Sequence, residues 1–254
     1  MRRSAALALL AGSLLAASPA LAARGVNLSW SRCAGEGLGS QLKSFACDAN
    51  AGAEQLVVSF VLDAPIPQVS GNEIVIDLIS QDDPMPAWWD FKDAGTCRQA
   101  SLGMNVVQDP ADVVCADWAS GQSTGGIGAY NNTSDINTTF PEDIWPRHRR
   151  LKMALAVPLS GVADLAADVE YFSCNVTIDH TKSVGAGACS GCAGQVCLLL
   201  QSVKVTTVLP GNDRMVFGGA TAGSDMAHWQ GSSADCRIVP VRNRTWSQVK
   251  ALYR

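Results

Sequence analysis

The chain has 254 residues, 47% of them hydrophobic and 17% charged, with a formal net charge of -4. An acidic chain gains nothing from counterion release on phosphates, so nucleic acid is not an expected partner.

Met1-Arg2-Arg3, an apolar run from Ala5 to Ala17 and the end Ala20-Leu21-Ala22 read as a secretory signal peptide. Cleavage is expected after Ala22 or Ala23, which sets residues 1–23 apart as signal. The apolar run is too short to span a bilayer, and no cysteine stands just after the cleavage site to carry a lipid. Removing Arg2 and Arg3 lowers the 19 basic residues to 17 against 23 acidic ones, a net charge of -6. About 230 residues remain, enough to bury a sizeable core. No second run of membrane length follows, so no transmembrane segment is expected after signal removal. The expected location is secreted or at a bacterial cell surface.

Val26 to Trp30 is the first expected strand. Cys33 and Cys47 then bracket a glycine-rich loop. Gln55 to Leu62 alternates with Leu56, Val58, Phe60 and Leu62 on one face. Asp63 to Pro67 is expected to stop it, because proline cannot donate to a ladder. Ser70-Gly71-Asn72 reads as a turn into a strand from Glu73 to Ser80. Ala87 to Lys92 suggests one helical turn, and Leu102 to Val107 a strand. Gly121 to Thr139, rich in Gly, Ser, Thr and Asn, reads as the longest irregular stretch. Arg147 to Val157 alternates as a strand, and a small-residue connection runs from Gly161 to Asp168.

Glu170 to Thr207 reads as a hairpin of strand, cysteine-laced loop and strand, with Phe172, Cys174, Val176 and Ile178 on one apolar row. Met215 to Phe217 and Ala227 to Gln230 are short closing strands. Thr245 to Gln248 has capping-box form, with Val249, Leu252 and Tyr253 giving the final turn an apolar side. Frequent turns between β-branched runs indicate an all-β, antiparallel β-sandwich, jelly-roll-like and disulfide-stapled, with a short C-terminal helix. Residues 24–239 are expected to form one domain. Residues 240–254 are expected to be a linker and a short amphipathic helix, with a sorting or docking tail as the alternative use.

All nine cysteines follow the signal. Export favours disulfides, and the odd number leaves a thiol over. Cys174, on an apolar row, is the expected free thiol. Cys33–Cys47 and Cys97–Cys115 are the expected near-neighbour bridges. One of Cys189 and Cys192 is expected to bond Cys197 and the other Cys236, in either assignment. Zinc on Cys189, Cys192 and Cys197, with Cys174, His180 or Cys236 as a fourth ligand, is the less favoured reading, because only one C-x-x-C is present. No cofactor is expected.

The strings Gly25 to Trp30, Pro86-Ala-Trp-Trp-Asp-Phe-Lys92 with Gly95-Thr-Cys97, and Cys189-Ser-Gly-Cys192 with Val196-Cys197 carry a resemblance. So do Trp229-Gln-Gly231 and the tail Thr245 to Arg254. Together they resemble an uncharacterised family of secreted bacterial proteins. The resemblance implies secretion and a shared fold, and it carries no activity. More loosely, the strand order is similar to cohesin-like and carbohydrate-binding jelly rolls.

Trp88 and Trp89, surrounded by Asp82, Asp83, Asp90 and Asp93, are the candidate binding site. Exposed tryptophans stack on sugar rings, and loop carboxylates bind calcium. Core packing of one or both tryptophans at the end of the sandwich is the favoured reading; if a ligand platform exists, its binding residues are Trp88, Trp89, Asp83 and Asp90. Gly121-Gln-Ser123-Thr-Gly125 matches a nucleophile-elbow pattern but lacks a following helix-former run. His148, in Arg147-His-Arg-Arg150, reads as a solvated strand start. His180 and His228 have no carboxylate at motif spacing. The N-x-S/T triplets at Asn27, Asn131, Asn132, Asn137, Asn175 and Asn243 read as chance matches. The expected function is a secreted or cell-surface non-catalytic module binding an extracellular glycan or surface protein. A secreted hydrolase of glycans or esters is the alternative.

Overall fold

The computed structural model describes residues 24–36, 39–92, 94–111, 115–131, 146–218, 224–231 and 236. The expected signal and the expected C-terminal helix lie outside them. Among the described residues the chain is all-β, with strands β1 Gly25–Trp30, β2 Leu42–Lys43, β3 Ala53–Val61, β4 Ile66–Ser80, β5 Leu102–Asn105 and β6 Thr124–Asn131. They are followed by β7 His148–Ala156, β8 Ala163–Leu165, β9 Glu170–Asp179, β10 Val196–Thr207, β11 Arg214–Phe217 and β12 Met226–Trp229. The smaller sheet runs β1-β3-β9-β5; the larger runs β2-β12-β10-β4-β7-β6, with β11 beside β10 and β8 beside β4. Among the strand pairs of the described residues, β2–β12 alone is parallel; isolated parallel bridges join Val26 to Gly218 and Ala116 to Tyr171.

The two sheets share one core. Val26, Leu28, Leu56, Val58, Phe60, Val176 and Ile178 of the smaller sheet meet Ile74, Ile76, Leu78, Leu151, Met153, Leu198, Leu200 and Val203 of the larger. Each set follows the period of two that puts alternate side chains on one face. Polar contacts also cross the layer: Ser173 Oγ donates to Asn72 Oδ1 at 3.0 Å, both residues being buried. A buried pair of this kind satisfies each partner and helps set the registration of the sheets.

Four sequence expectations are corrected. β9 and β10 do not form a hairpin; they lie in different sheets, and the segment between them crosses the end of the sandwich. Both strands are interior, with β9 between β3 and β5 and β10 between β4 and β12, so each is apolar enough to have suggested the other as partner. Phe172 leaves the row of Cys174. A register shift on β9 skips Ser173, so Phe172 packs outside with Cys33, Val57 and Cys115. Ser70-Gly71-Asn72 is not a turn, since β4 runs through it. A Cβ on Gly71 would sit 2.5 Å from the Leu155 carbonyl, so glycine serves close strand approach there. The glycine-rich stretch supplies β6, whose Gly125 lies as close to Ala154, where a Cβ would meet its carbonyl at 2.4 Å.

The disulfides are Cys33–Cys115, Cys47–Cys192, Cys97–Cys189 and Cys197–Cys236, and Cys174 is free and buried. All eight bridged cysteines are those expected, but the pairings differ. Cys33 lies against the outer face of the smaller sheet with Val57 and Phe172, away from Cys47. Cys189 and Cys192 face the main core, whereas Cys197 points out of β10 with Leu199. Alternation along β10 thus separates Cys197 from both. Burial pushes the Cys174 thiol up from its ordinary value. The expected outcome of thiol titration without reductant is no reaction in the folded protein and one thiol per chain, Cys174, in denaturant. Rapid labelling of Cys174 in the folded protein would contradict its burial.

Candidate functional site

Trp88 and Trp89 are fully buried, which removes them as a sugar platform. They sit in a one-turn 3-10 helix, Ala87–Trp89, that turns both indoles inward. Trp88 stacks on Trp229 with centroids 5.1 Å apart, and Trp89 meets Trp229 edge-on at 5.6 Å. Trp30, Phe45 and Phe91 extend the cluster. The indole nitrogens of Trp88 and Trp229 donate to Ser183 Oγ at 3.0 Å and to the Cys192 carbonyl at 2.7 Å. Arg98 closes the cluster with its guanidinium carbon 3.5 Å from the Trp88 ring centroid. It donates to the Trp88 carbonyl at 2.9 Å and to the Asp179 carbonyl. Burial lowers the Arg98 pKa to about 10, against the pull of Asp179, so it remains a cation at neutral pH.

The carboxylates do not converge around this turn. Asp83 is exposed, while Asp90 is half-buried and held by Arg149 at 2.9 Å. Asp93 lies outside the described residues. Among the described residues, no grouping suited to a metal includes Asp83 or Asp90.

The basic strand start is buried, which corrects the solvated reading. Arg147 donates to the Ser80 carbonyl at 2.9 Å, and Arg149 pairs with Asp90. His148 Nε2 lies 3.0 Å from Asp77 Oδ1, and Arg150 grips both Asp77 oxygens at 2.7 and 2.8 Å. Asp77 and His148 have no exposed side-chain surface. The signal for this cluster was present: Asp77 is the lone acid inside Val75-Ile-Asp-Leu-Ile79, where a buried charge requires a partner. His180 is also buried, stacked on Phe45, with Nδ1 2.9 Å from the Ala51 carbonyl and Nε2 3.2 Å from Glu54. His228 is buried on β12. Ser123 is half-buried and runs into β6 instead of a helix, so the nucleophile-elbow geometry fails. Asn27 and Asn175 are buried, which agrees with reading their triplets as chance. The triplet asparagines 132, 137 and 243 lie outside the described residues.

A cleft lies where the edges of the two sheets part, and no sequence motif marks it. β1 and the residue just after β11 meet in a parallel bridge at Val26 and Gly218. Before that point they diverge around a cavity of about 300 Å³, lined by Arg24, Val61, Leu62, Asp63, Val216 and Phe217 among others. Its floor is apolar, since Val61, Leu62 and Val216 are buried. Its mouth carries Met215 and Phe217, 45% and 59% exposed. Arg24 forks onto Asp168 at 2.6 and 3.0 Å, and Arg214 reaches Asp63 at 3.3 Å. Among the described residues β11 pairs with β10 alone.

The Asp77 cluster yields a pH prediction. Burial on its own would raise the Asp77 carboxyl. Hydrogen bonds from Arg150 and His148 outweigh it and hold the group below its usual range. A carboxyl lowered by folding stabilises the fold above its unfolded value, about 4. That stabilisation is lost as pH falls through the folded value. Asp77→Asn should therefore cost about 3 kcal/mol at neutral pH, by leaving Arg150 without its carboxylate. It should also flatten the fall of the urea midpoint below about pH 4. Equal acid slopes in the two proteins would exclude Asp77 as the responsible group. Comparison with protein-family models, curated proteins and solved structures found no match for the chain.

Proposed function

We propose that this is an exported, non-catalytic binding module that takes an extended peptide segment of a surface or secreted protein along β11. One observation carries the reading: an edge strand with two exposed large apolar side chains borders an apolar-floored cleft. A strand edge offers main-chain hydrogen bonds to an added strand, and neighbouring pockets supply specificity. Exposed apolar groups on an edge are otherwise an aggregation hazard that proteins blunt. The glycan alternative is disfavoured because the tryptophans that would stack on sugars lie inside. The hydrolase alternative is disfavoured because Ser123 stands before a strand and all three histidines are buried. Four bridges among the described residues fit an oxidising location outside the cytoplasm.

The mature protein would be passed over an arrayed library of extended peptides and over insoluble glycans. Peptide retention is expected, falling roughly tenfold or more in Phe217→Asp, as for loss of an aromatic anchor. Glycan retention indifferent to Phe217 would move the reading to carbohydrate. Turnover of polysaccharides or chromogenic esters, abolished by Ser123→Ala or Asp83→Asn, would replace it with the hydrolase.

A further inference from the structure

Cys197 and His228 stand directly opposite each other on β10 and β12. On β10 the core-facing residues are Val196, Leu198 and Leu200, so Cys197 leaves the sheet on the outer face. There Ile79, Leu199 and Met226 bury it together with Cys236. The His228 backbone is fixed from both sides. Its N–H donates to the Gln41 carbonyl at 2.7 Å, and its own carbonyl accepts from Trp30 Nε1 at 3.1 Å. One ligand atom each from Cys197, His228 and Cys236 falls within 4.8 Å of the others, and all three residues are buried.

We propose that the thiol form of the Cys197–Cys236 strap is a Cys₂His site for a borderline-soft d¹⁰ dication of the zinc class. Zinc takes thiolate sulfur at ~2.3 Å and imidazole nitrogen at ~2.0–2.1 Å in tetrahedral geometry. Ligand atoms around such an ion are separated by roughly 3.5–4 Å; the three ligand atoms lie within 4.8 Å of one another, and the two sulfurs, bonded to each other in the bridge, move apart to that separation once it is opened. Three protein ligands leave the fourth position to water or a small exogenous ligand. Bridge and metal exclude each other, because sulfurs joined to one another carry no thiolate charge. Each state ties Cys236 to the outer face of β10, so the ion supplies the strap before oxidation does.

The interconversion balances with a phosphine as reductant. The S–S bond breaks, and phosphorus is oxidised to the phosphine oxide with the oxygen of one water. The two protons of that water complete two thiols. Zinc then displaces both thiol protons to solvent and accepts a lone pair from the His228 imidazole.

In the test, mature protein reduced with a phosphine is given one equivalent of zinc and labelled with iodoacetamide, and its peptides are mapped. Zinc should slow labelling of Cys197 and Cys236 by roughly tenfold or more, as loss of a held ligand set implies. The other opened cysteines serve as internal controls and should change little. His228→Gln leaves the oxidised bridge available as a check on folding, and it should abolish the protection. Equal protection in His228→Gln, or uniform protection of all thiols, would overturn the site. A reduced chain that loses its β-sheet circular dichroism and shows no protection would overturn it as well, because the ligands depend on β10–β12 pairing.

Discussion

The structure depends on filling one end of the sandwich with indole. Trp30 and Trp229 come from opposite sheets and meet with ring centroids 6.0 Å apart, and a single 3-10 turn sets Trp88 and Trp89 against Trp229. Large aromatics bury the most apolar area per residue, and edge-on pairs add about 0.5–1.5 kcal/mol each. A plug of this size has to be closed against water. Arg98 covers the Trp88 face, and Cys47–Cys192 and Cys97–Cys189 draw loops from three parts of the chain over it. The guanidinium remains charged there because two carbonyls and an aromatic face replace its lost water.

A second constraint acts on the outer faces of the sheets. In an antiparallel sandwich these faces normally meet water and read as polar. Here part of each is covered. Cys33–Cys115 lies over Val57 and Phe172 on the smaller sheet, and Cys197–Cys236 lies with Ile79 and Leu199 on the larger. Polar groups beneath such covers need partners. Glu170 accepts from the Ala34 and Gly35 N–H groups and from Ser59 Oγ, at 3.1, 2.9 and 2.5 Å. Asp77 accepts from Arg150 on the opposite face of the molecule. The bridges therefore hold down segments whose removal would expose both apolar surface and paired charges.

The β-class was legible because alternation at Leu56 to Leu62, Ile74 to Leu78 and Leu151 to Val157 follows from the pleat alone. Strand partners were less legible. Nothing local distinguishes a hairpin from a crossover when, as in β9 and β10, both strands are interior. The bulge at Ser173 shows the same limit at one residue, since an unpaired position reverses the face of everything before it. Disulfide partners were illegible for a related reason. Sequence proximity ranks loop-closure entropy, whereas Cys33 and Cys115 meet because β3 and β9 carry a shared outer patch. The buried run Arg147 to Arg150 misled because burial of cations is decided by partners on β4 and in the tryptophan turn. The cleft has no motif, being defined by where two edges cease to touch.

The tryptophan end and the cleft are joined by a single strand. β1 runs from Gly25, at the cleft, to Trp30, in the aromatic cluster. Five steps of about 3.4 Å put the two roughly 17 Å apart. Every residue of β1 is paired with β3, from Gly25 with Val61 to Trp30 with Leu56, so the wall of the cleft belongs to a fully hydrogen-bonded strand pair. Ordering a mobile wall would cost affinity at the moment of binding, whereas a pre-formed one spends that entropy during folding. The stapled end and the open edge are thus joined through one strand: β1 is anchored by Trp30 in the aromatic cluster at one end and borders the cleft with Gly25 at the other.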